Sequence, residues 1–156
     1  MIAYNSKYIG SAIITIIDSF TEGISIKRIV DDKSGFYLLN EKIPILCKYS
    51  KKRTNPWSFS INKDVLDIYL SLVKKYKECF IILICGIDGI ISLEYSDVCK
   101  IINFDLIEKQ KRISASRRLG KMYFISGSDG RLKNKVAQRS ITDNLGKKLF
   151  SGVIIV

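Results

Sequence analysis

The 156-residue sequence contains no histidine, and this absence excludes several kinds of catalytic and metal site. Serine or cysteine nucleophiles that depend on a histidine base cannot form, and neither can histidine-containing zinc sites. The apolar runs are also short: the longest, at residues 12–17 and 80–85, fall well below the roughly 20 residues that a membrane helix needs. Carboxylate, lysine, tyrosine, serine and cysteine chemistry remains open, as does binding without catalysis.

Cysteine is present four times but never as a C-x-x-C pair, and each cysteine lies among apolar residues. This spacing argues against a disulfide framework or a zinc site and predicts four reduced, buried thiols. No basic segment followed by an apolar run begins the sequence, so we expect no signal peptide and no membrane partner. These features predict a cytoplasmic protein that folds as a single domain over residues 1–156.

Acidic residues are outnumbered, with 15 against 26 lysines and arginines, and the net charge is +11. One short segment holds Lys48, Lys51, Lys52 and Arg53, and residues 105–148 hold 12 basic and 4 acidic residues. The rest of the chain has 10 basic and 11 acidic residues. Because concentrated positive charge attracts polyanions, the pattern predicts DNA or RNA as the partner. An acidic protein surface and a lysine-rich surface without a partner remain alternatives.

Hydrophobic periodicity predicts an α+β fold with a mixed central sheet flanked by helices. Asn62 is expected to cap a helix. A basic, weakly patterned tail over residues 131–156 is expected to be loosely ordered. Helices are predicted at residues 8–20, 63–77 and 97–102, and strands at 24–30, 36–39, 45–50, 57–61, 79–85, 90–94, 112–117 and 121–126.

The predicted order of helix, three strands, helix and strand is similar to the core of the PD-(D/E)xK nuclease superfamily. The resemblance covers residues 8–94 and implies a restriction-endonuclease-like core, followed here by a β-rich basic part. In that family an acidic residue on the second strand and a D/E-x-K on the third hold a divalent metal and activate water. The third strand here reads Leu46-Cys47-Lys48, so Lys48 matches and Leu46 stands at the carboxylate position.

The departure at Leu46 predicts a nuclease-like core that binds nucleic acid without catalysis and without a metal or cofactor. An active, atypical endonuclease is the alternative. Its Mg²⁺ ligands would come from Asp31, Asp32 or Glu41, with Lys48 beside them.

A second resemblance is to small, poorly characterised bacterial and phage proteins with a K-Y-S-x-x-R-x-x-P-W-x-F segment. It implies a bacterial or phage origin but no mechanism. The small size of the chain and its lack of motifs leave open a third possibility, a phage or mobile-element protein that binds and inhibits a host protein. The matching residues are Lys48-Tyr49-Ser50, Arg53, Pro56-Trp57 and Phe59, followed later by Ser116-Arg117-Arg118 and Ser126-Gly127-Ser128-Asp129-Gly130.

Basic residues near strand ends are the candidate ligands of the phosphate backbone. Arginine forks bind phosphate in a bidentate way, and cations interleaved with aromatic rings suit nucleic acid. Trp57 alternates with apolar residues, which predicts that it lies in the core. Because neighbouring strands lie about 4.8 Å apart, we expect residues 51–53 and 117–118 to form one surface. The candidates are Lys48, Lys51, Lys52, Arg53, Arg117, Arg118, Lys121 and Arg131.

Overall fold

A computed structural model describes residues 1–30, 35–107, 109–138 and 140–150. Helices and two β-sheets make up the fold, which confirms the predicted α+β class. The elements in chain order are α1 (Tyr4–Asp18), β1 (Ile26–Arg28), β2 (Phe36–Leu39), β3 (Ile43–Ser50), β4 (Trp57–Asn62), α2 (Lys63–Tyr76), β5 (Phe80–Cys85), β6 (Gly89–Leu93), α3 (Tyr95–Ile101), β7 (Gln110–Ser116), β8 (Phe124–Gly127), β9 (Gly130–Arg131), a π-helical turn (Ile141–Leu145) and α4 (Gly146–Phe150).

The first sheet has five strands in the order β1-β2-β3-β5-β6. β1, β2 and β3 form an antiparallel meander, and β5 lies parallel to β3, with Lys48 opposite Leu83. β6 then pairs antiparallel with β5, as the predicted hairpin requires. All six residues of β5 are buried, because a central strand with both faces covered has no exposed side.

Helix α2 shows how local sequence fixes an element. The side chain of Asn62 accepts a hydrogen bond from the backbone N–H of Val65 at 2.9 Å, which confirms the predicted cap. An acidic residue lies in the first turn and two lysines lie in the last, each favourable to the helix dipole. The helix ends where Lys77 takes a left-handed φ of 69°, and its side chains Leu66 and Tyr69 are buried.

Strand β4 does not join the first sheet, although a single central sheet was expected. It pairs antiparallel with β7 in a second sheet of order β4-β7-β8-β9. The sequence of β4 alternates: Trp57, Phe59 and Ile61 are buried, and the residues between them are exposed. The apolar side packs with Leu83 and other residues of the first sheet, so the main core lies between the two sheets.

The opposite face of the first sheet is covered by α1 and by the end of the described chain. Ile141, Leu145 and Leu149 are buried there together with apolar residues of α1. The expectation of a loosely ordered tail is therefore wrong for residues 140–150. Their apolar residues recur every four positions, which gives a helical stripe that packs on the sheet. Residues 151–156 lie outside the described residues.

Candidate nucleic-acid interface

The register between β4 and β7 brings two basic segments together. Residues 51–56 precede β4 and residues 117–118 follow β7, and the antiparallel pairing places Trp57 opposite Ala115. The side-chain amide of Asn55 donates a hydrogen bond to the carbonyl oxygen of Arg117 at 3.0 Å. The two segments are therefore neighbours at one end of the second sheet, as strand geometry predicted.

The loop of residues 51–56 is held in place by the core. Trp57 is 2% exposed, and its indole N–H donates a hydrogen bond to the carbonyl oxygen of Lys52 at 2.8 Å. The N–H of Gly86 donates to the carbonyl oxygen of Ser50 at 2.9 Å. Gly86 has a φ of 55°, and a Cβ at this position would collide with the carbonyl oxygen of Lys52. Trp57 is thus a core residue, as predicted, and it also positions the loop, on which Lys51, Lys52 and Arg53 are exposed.

Arg117 was predicted to bind phosphate, but its side chain points inward and is only 6% exposed. Its Nε donates a hydrogen bond to a carboxylate oxygen of Asp88 at 2.7 Å. Its Nη1 donates to the carbonyl oxygen of Lys121 at 3.2 Å and to the side-chain oxygen of Gln138 at 3.3 Å. The guanidinium also lies 4.5 Å from the centre of the Tyr123 ring. Because its donors are already occupied, Arg117 is a structural residue.

The hydrogen bonds of this network favour the charged forms of Asp88 and Arg117. Burial alone would raise the pKa of Asp88, but hydrogen bonds from Arg117 and Tyr123 outweigh it and hold that pKa below its ordinary value. The hydrogen bond to Asp88 in turn raises the pKa of Arg117. Burial raises the pKa of the Tyr123 phenol. Asp88 lies in the turn between β5 and β6, so the network ties the first sheet to β7 and to the start of β8 in the second.

The other predicted cations of the C-terminal part are exposed beside two open grooves. The first groove, of about 790 Å³, is lined by residues that include Asn55, Arg118 and Lys121. The second, of about 590 Å³, is lined by Arg131 and also by two acidic residues. Met122 and Lys135 line both grooves, so the grooves are adjacent.

We name the resulting set of exposed cations the basic surface. It joins most of the predicted residues to two that sequence analysis missed, Lys133 and Lys135. These two alternate with Arg131 in the sequence, a spacing that could have indicated a shared face. The basic surface consists of Lys51, Lys52, Arg53, Arg118, Lys121, Arg131, Lys133 and Lys135.

Lys48, in contrast, belongs to the sheet and not to the exposed loop. It lies in β3 on the strand face that also carries Leu46, and it is half-buried. Burial lowers the pKa of its ammonium group. Leu46, at the position where the nuclease resemblance expects a carboxylate, is fully buried in the core.

The structure does not bring the candidate metal ligand Glu41 to Lys48. Glu41 lies in the turn before β3 and forms an ion pair with Lys27 at 2.7 Å. Lys48 is five residues beyond the start of β3. At about 3.3 Å per strand residue, its backbone lies about 16 Å along the strand from the turn that holds Glu41. Asp31 and Asp32 lie outside the described residues. Among the residues that are described, no three carboxylates or thiols group closely enough to hold a metal ion.

The four cysteines are free, but one is not buried as expected. Cys47, Cys79 and Cys85 are core residues, whereas Cys99 is exposed. Burial raises the pKa of Cys47 and of Cys85 to about 12, and burial likewise raises that of Cys79. The three buried thiols therefore stay protonated at neutral pH, which makes them unsuitable as nucleophiles.

A row of three tyrosines adjoins the basic loop, which consists of residues 51–56, and was missed by sequence analysis. The rings of Tyr4 and Tyr8 stack at 6.5 Å between centres, and those of Tyr8 and Tyr49 at 5.0 Å. Tyr4 is 56% exposed, with the ammonium of Lys51 at 4.3 Å and that of Lys7 at 5.5 Å from its ring centre. The spacing of four between Tyr4 and Tyr8 was an available signal, but the predicted helix began only at residue 8.

No protein-family model, curated protein or solved structure matches this chain. In the part of the chain that the structure describes, no helix is both long and apolar enough to cross a membrane. The exposed side chains of the site therefore define what it can bind. Exposed cations on a fixed backbone offer charge-assisted hydrogen bonds to anions, and an exposed ring offers a face for stacking.

Proposed function

We propose that this protein binds nucleic acid by placing its phosphate backbone along the basic surface, with little preference for sequence. The β4–β7 pairing carries the proposal, because it joins the loop cations to those beside the grooves in one continuous region. Phosphates recur at regular intervals along a strand, so an extended row of cations suits nucleic acid better than a single small anion. Contacts to phosphate alone carry no sequence information.

The availability of these cations supports the proposal. Among the described residues, the ion pairs of the fold involve Lys27, Lys100, Lys111, Arg117 and Lys148. None of these five belongs to the basic surface, so none of its cations is held in an ion pair of the described residues. Uncompensated exposed charge attracts a polyanion through the release of counterions.

The first sheet supports a nuclease-like core for the proposed binding protein. After α1 come the three-strand meander, β4 of the second sheet, α2, and then β5, which is parallel to β3. The buried Leu46 leaves an apolar side chain where a metal ligand would be needed. We therefore expect no cleavage of plasmid DNA or single strands in Mg²⁺ or Mn²⁺. Metal-dependent cleavage that is abolished in a Lys48→Ala variant would instead establish the endonuclease alternative.

Fluorescence anisotropy with labelled 20-nucleotide DNA and RNA probes tests the binding. We expect affinity to fall steeply between 50 and 200 mM salt, because counterions are released on binding. A Lys52→Gln/Arg53→Gln double variant should weaken binding and flatten the log–log salt slope by about one unit per lost contact. A single Arg118→Gln variant should act in the same direction.

A matched control removes the same charge elsewhere. Lys74 and Lys75 are exposed on the last turn of α2, outside the basic surface, and a Lys74→Gln/Lys75→Gln variant should retain near wild-type affinity. Equal weakening by both double variants would show that net charge acts without a defined surface. The absence of binding to any probe at low salt would refute the proposal and favour a protein partner.

A further inference from the structure

We infer that the nucleic acid bound by the basic surface is single-stranded, with a base stacked on Tyr4. The inference rests on the proposed function and adds the class of ligand. It comes from the row of Tyr49, Tyr8 and Tyr4, which begins in β3 and ends in solvent beside the basic loop.

The row is built as a platform whose inner part is fixed and whose outer ring is accessible. Tyr49 lies two residues before the basic loop, and its ring stacks nearly parallel to that of Tyr8, with an angle of 8° between the ring planes. Both of these residues are half-buried, whereas Tyr4 is 56% exposed. An aromatic ring with this much exposed area beside cations suits a nucleobase, because every base has a face that can stack.

Lys51 is the first residue of the basic loop, and its side chain contacts the Tyr4 ring. Its ammonium lies 4.3 Å from the centre of the Tyr4 ring, so it occupies space that a stacked base would take. The flexible stem of lysine allows the ammonium to move from the ring to the phosphate of that same nucleotide. The base and its phosphate would then both be bound at the start of the basic surface.

A single strand of nucleic acid bound at the ring can continue along the protein surface to the grooves. Asn55 is four positions after Lys51, a stretch of chain that spans at most about 14 Å, and Asn55 lines the groove that contains Arg118 and Lys121. Ring, loop and groove therefore follow one another along a path suited to several nucleotides. The bases of a duplex stack on each other and cannot reach the ring, so duplex binding would leave Tyr4 unused.

The test compares three probes of equal length by anisotropy at fixed salt: dT15, U15 and a 15-base-pair DNA duplex. A Tyr4→Leu variant removes the aromatic face, and Tyr4→Phe retains it. Tyr76→Leu is the matched control, because Tyr76 also carries a lysine over its ring but lies at the end of α2. Thermal unfolding of each variant confirms that comparable fractions are folded.

We expect single strands to bind more tightly than the duplex, and Tyr4→Leu to weaken single-strand binding roughly ten-fold without affecting the duplex. Tyr4→Phe and Tyr76→Leu should match the wild type. Tighter binding of either dT15 or U15 supports the inference equally and assigns the preferred sugar.

Two results would overturn the inference in different ways. If single strands and duplex bind equally, Tyr4→Leu has no effect and Lys52→Gln/Arg53→Gln weakens both, phosphate binding stands and the single-strand assignment is wrong. If none of the three probes binds at low salt, the inference and the proposed function fail together.

Discussion

Replacing Arg117 with methionine should destabilise the fold far more than the same replacement at Arg118, its neighbour in sequence. Arg117 is 6% exposed and bound to Asp88, whose side chain is 16% exposed. Methionine would keep much of the apolar stem but would remove the guanidinium. Among the described side chains, only the hydroxyl of Tyr123 would then still donate a hydrogen bond to the carboxylate of Asp88. Breaking a buried pair by removing one partner costs about 3–5 kcal/mol, and the residual exposure of Asp88 places the expected loss near about 3 kcal/mol.

Urea unfolding followed by tryptophan fluorescence measures this difference directly. Trp57 is the single tryptophan, it is buried, and its ring lies 6.1 Å from that of Tyr123. With an m value of about 2 kcal/mol/M, the Arg117→Met midpoint should fall by about 1.5 M. Arg118→Met removes an exposed charge and should change the free energy of unfolding by less than about 0.5 kcal/mol. Equal midpoints for the two variants would refute the structural role of Arg117, and so would loss of nucleic-acid binding in folded Arg117→Met alone.

Two further predictions concern the same end of the molecule. The lowered pKa of Asp88 stabilises the fold fully above its unfolded value of about 3.9, and this contribution is lost as pH falls through the folded value. Unfolding curves between pH 5 and pH 2.5 should therefore show a steeper loss of stability for the wild type than for Asp88→Asn, and parallel curves would contradict this. Gly86→Ala should cost at least about 1 kcal/mol and also weaken binding, because the new Cβ displaces the carbonyl of Lys52. Urea unfolding and anisotropy on the one variant would measure both effects, and unchanged affinity would show that the loop position is unimportant.

Local patterns predicted the first sheet well because its elements are specified over short stretches. The α2 cap at Asn62, the apolar strand β5 and the β5–β6 hairpin all depend on residues within a few positions of each other. The second sheet depends on pairing between positions 57 and 115, and no local pattern states which distant strand will be the partner. The period-two alternation of β4 showed a strand with one buried face but could not assign it to a sheet.

The candidate site was predicted correctly where a charged residue is also an exposed one. The loop cations and Arg118 are exposed as expected, but Arg117 continues the inward phase of Ile113 and Ala115 along β7. That phase was readable in the sequence and would have distinguished the two arginines. The tyrosine row was not readable in full, because it needs α1 to pack beside β3.

The crossing of the chain from β3 in one sheet to β4 in the other has a thermodynamic consequence. The loop that makes the crossing carries three of the cations. The remaining ones follow β7, precede β8, or lie in and after β9, so the basic surface exists only while both sheets are docked. A ligand bound across the boundary between the sheets would bind the native state and not the separated sheets, and it would therefore stabilise the native state. At a free concentration of one hundred times Kd, such a ligand would add about 2.7 kcal/mol to the free energy of unfolding. Nucleic acid would then protect the whole fold against heat, including the core beneath the helices that it never touches.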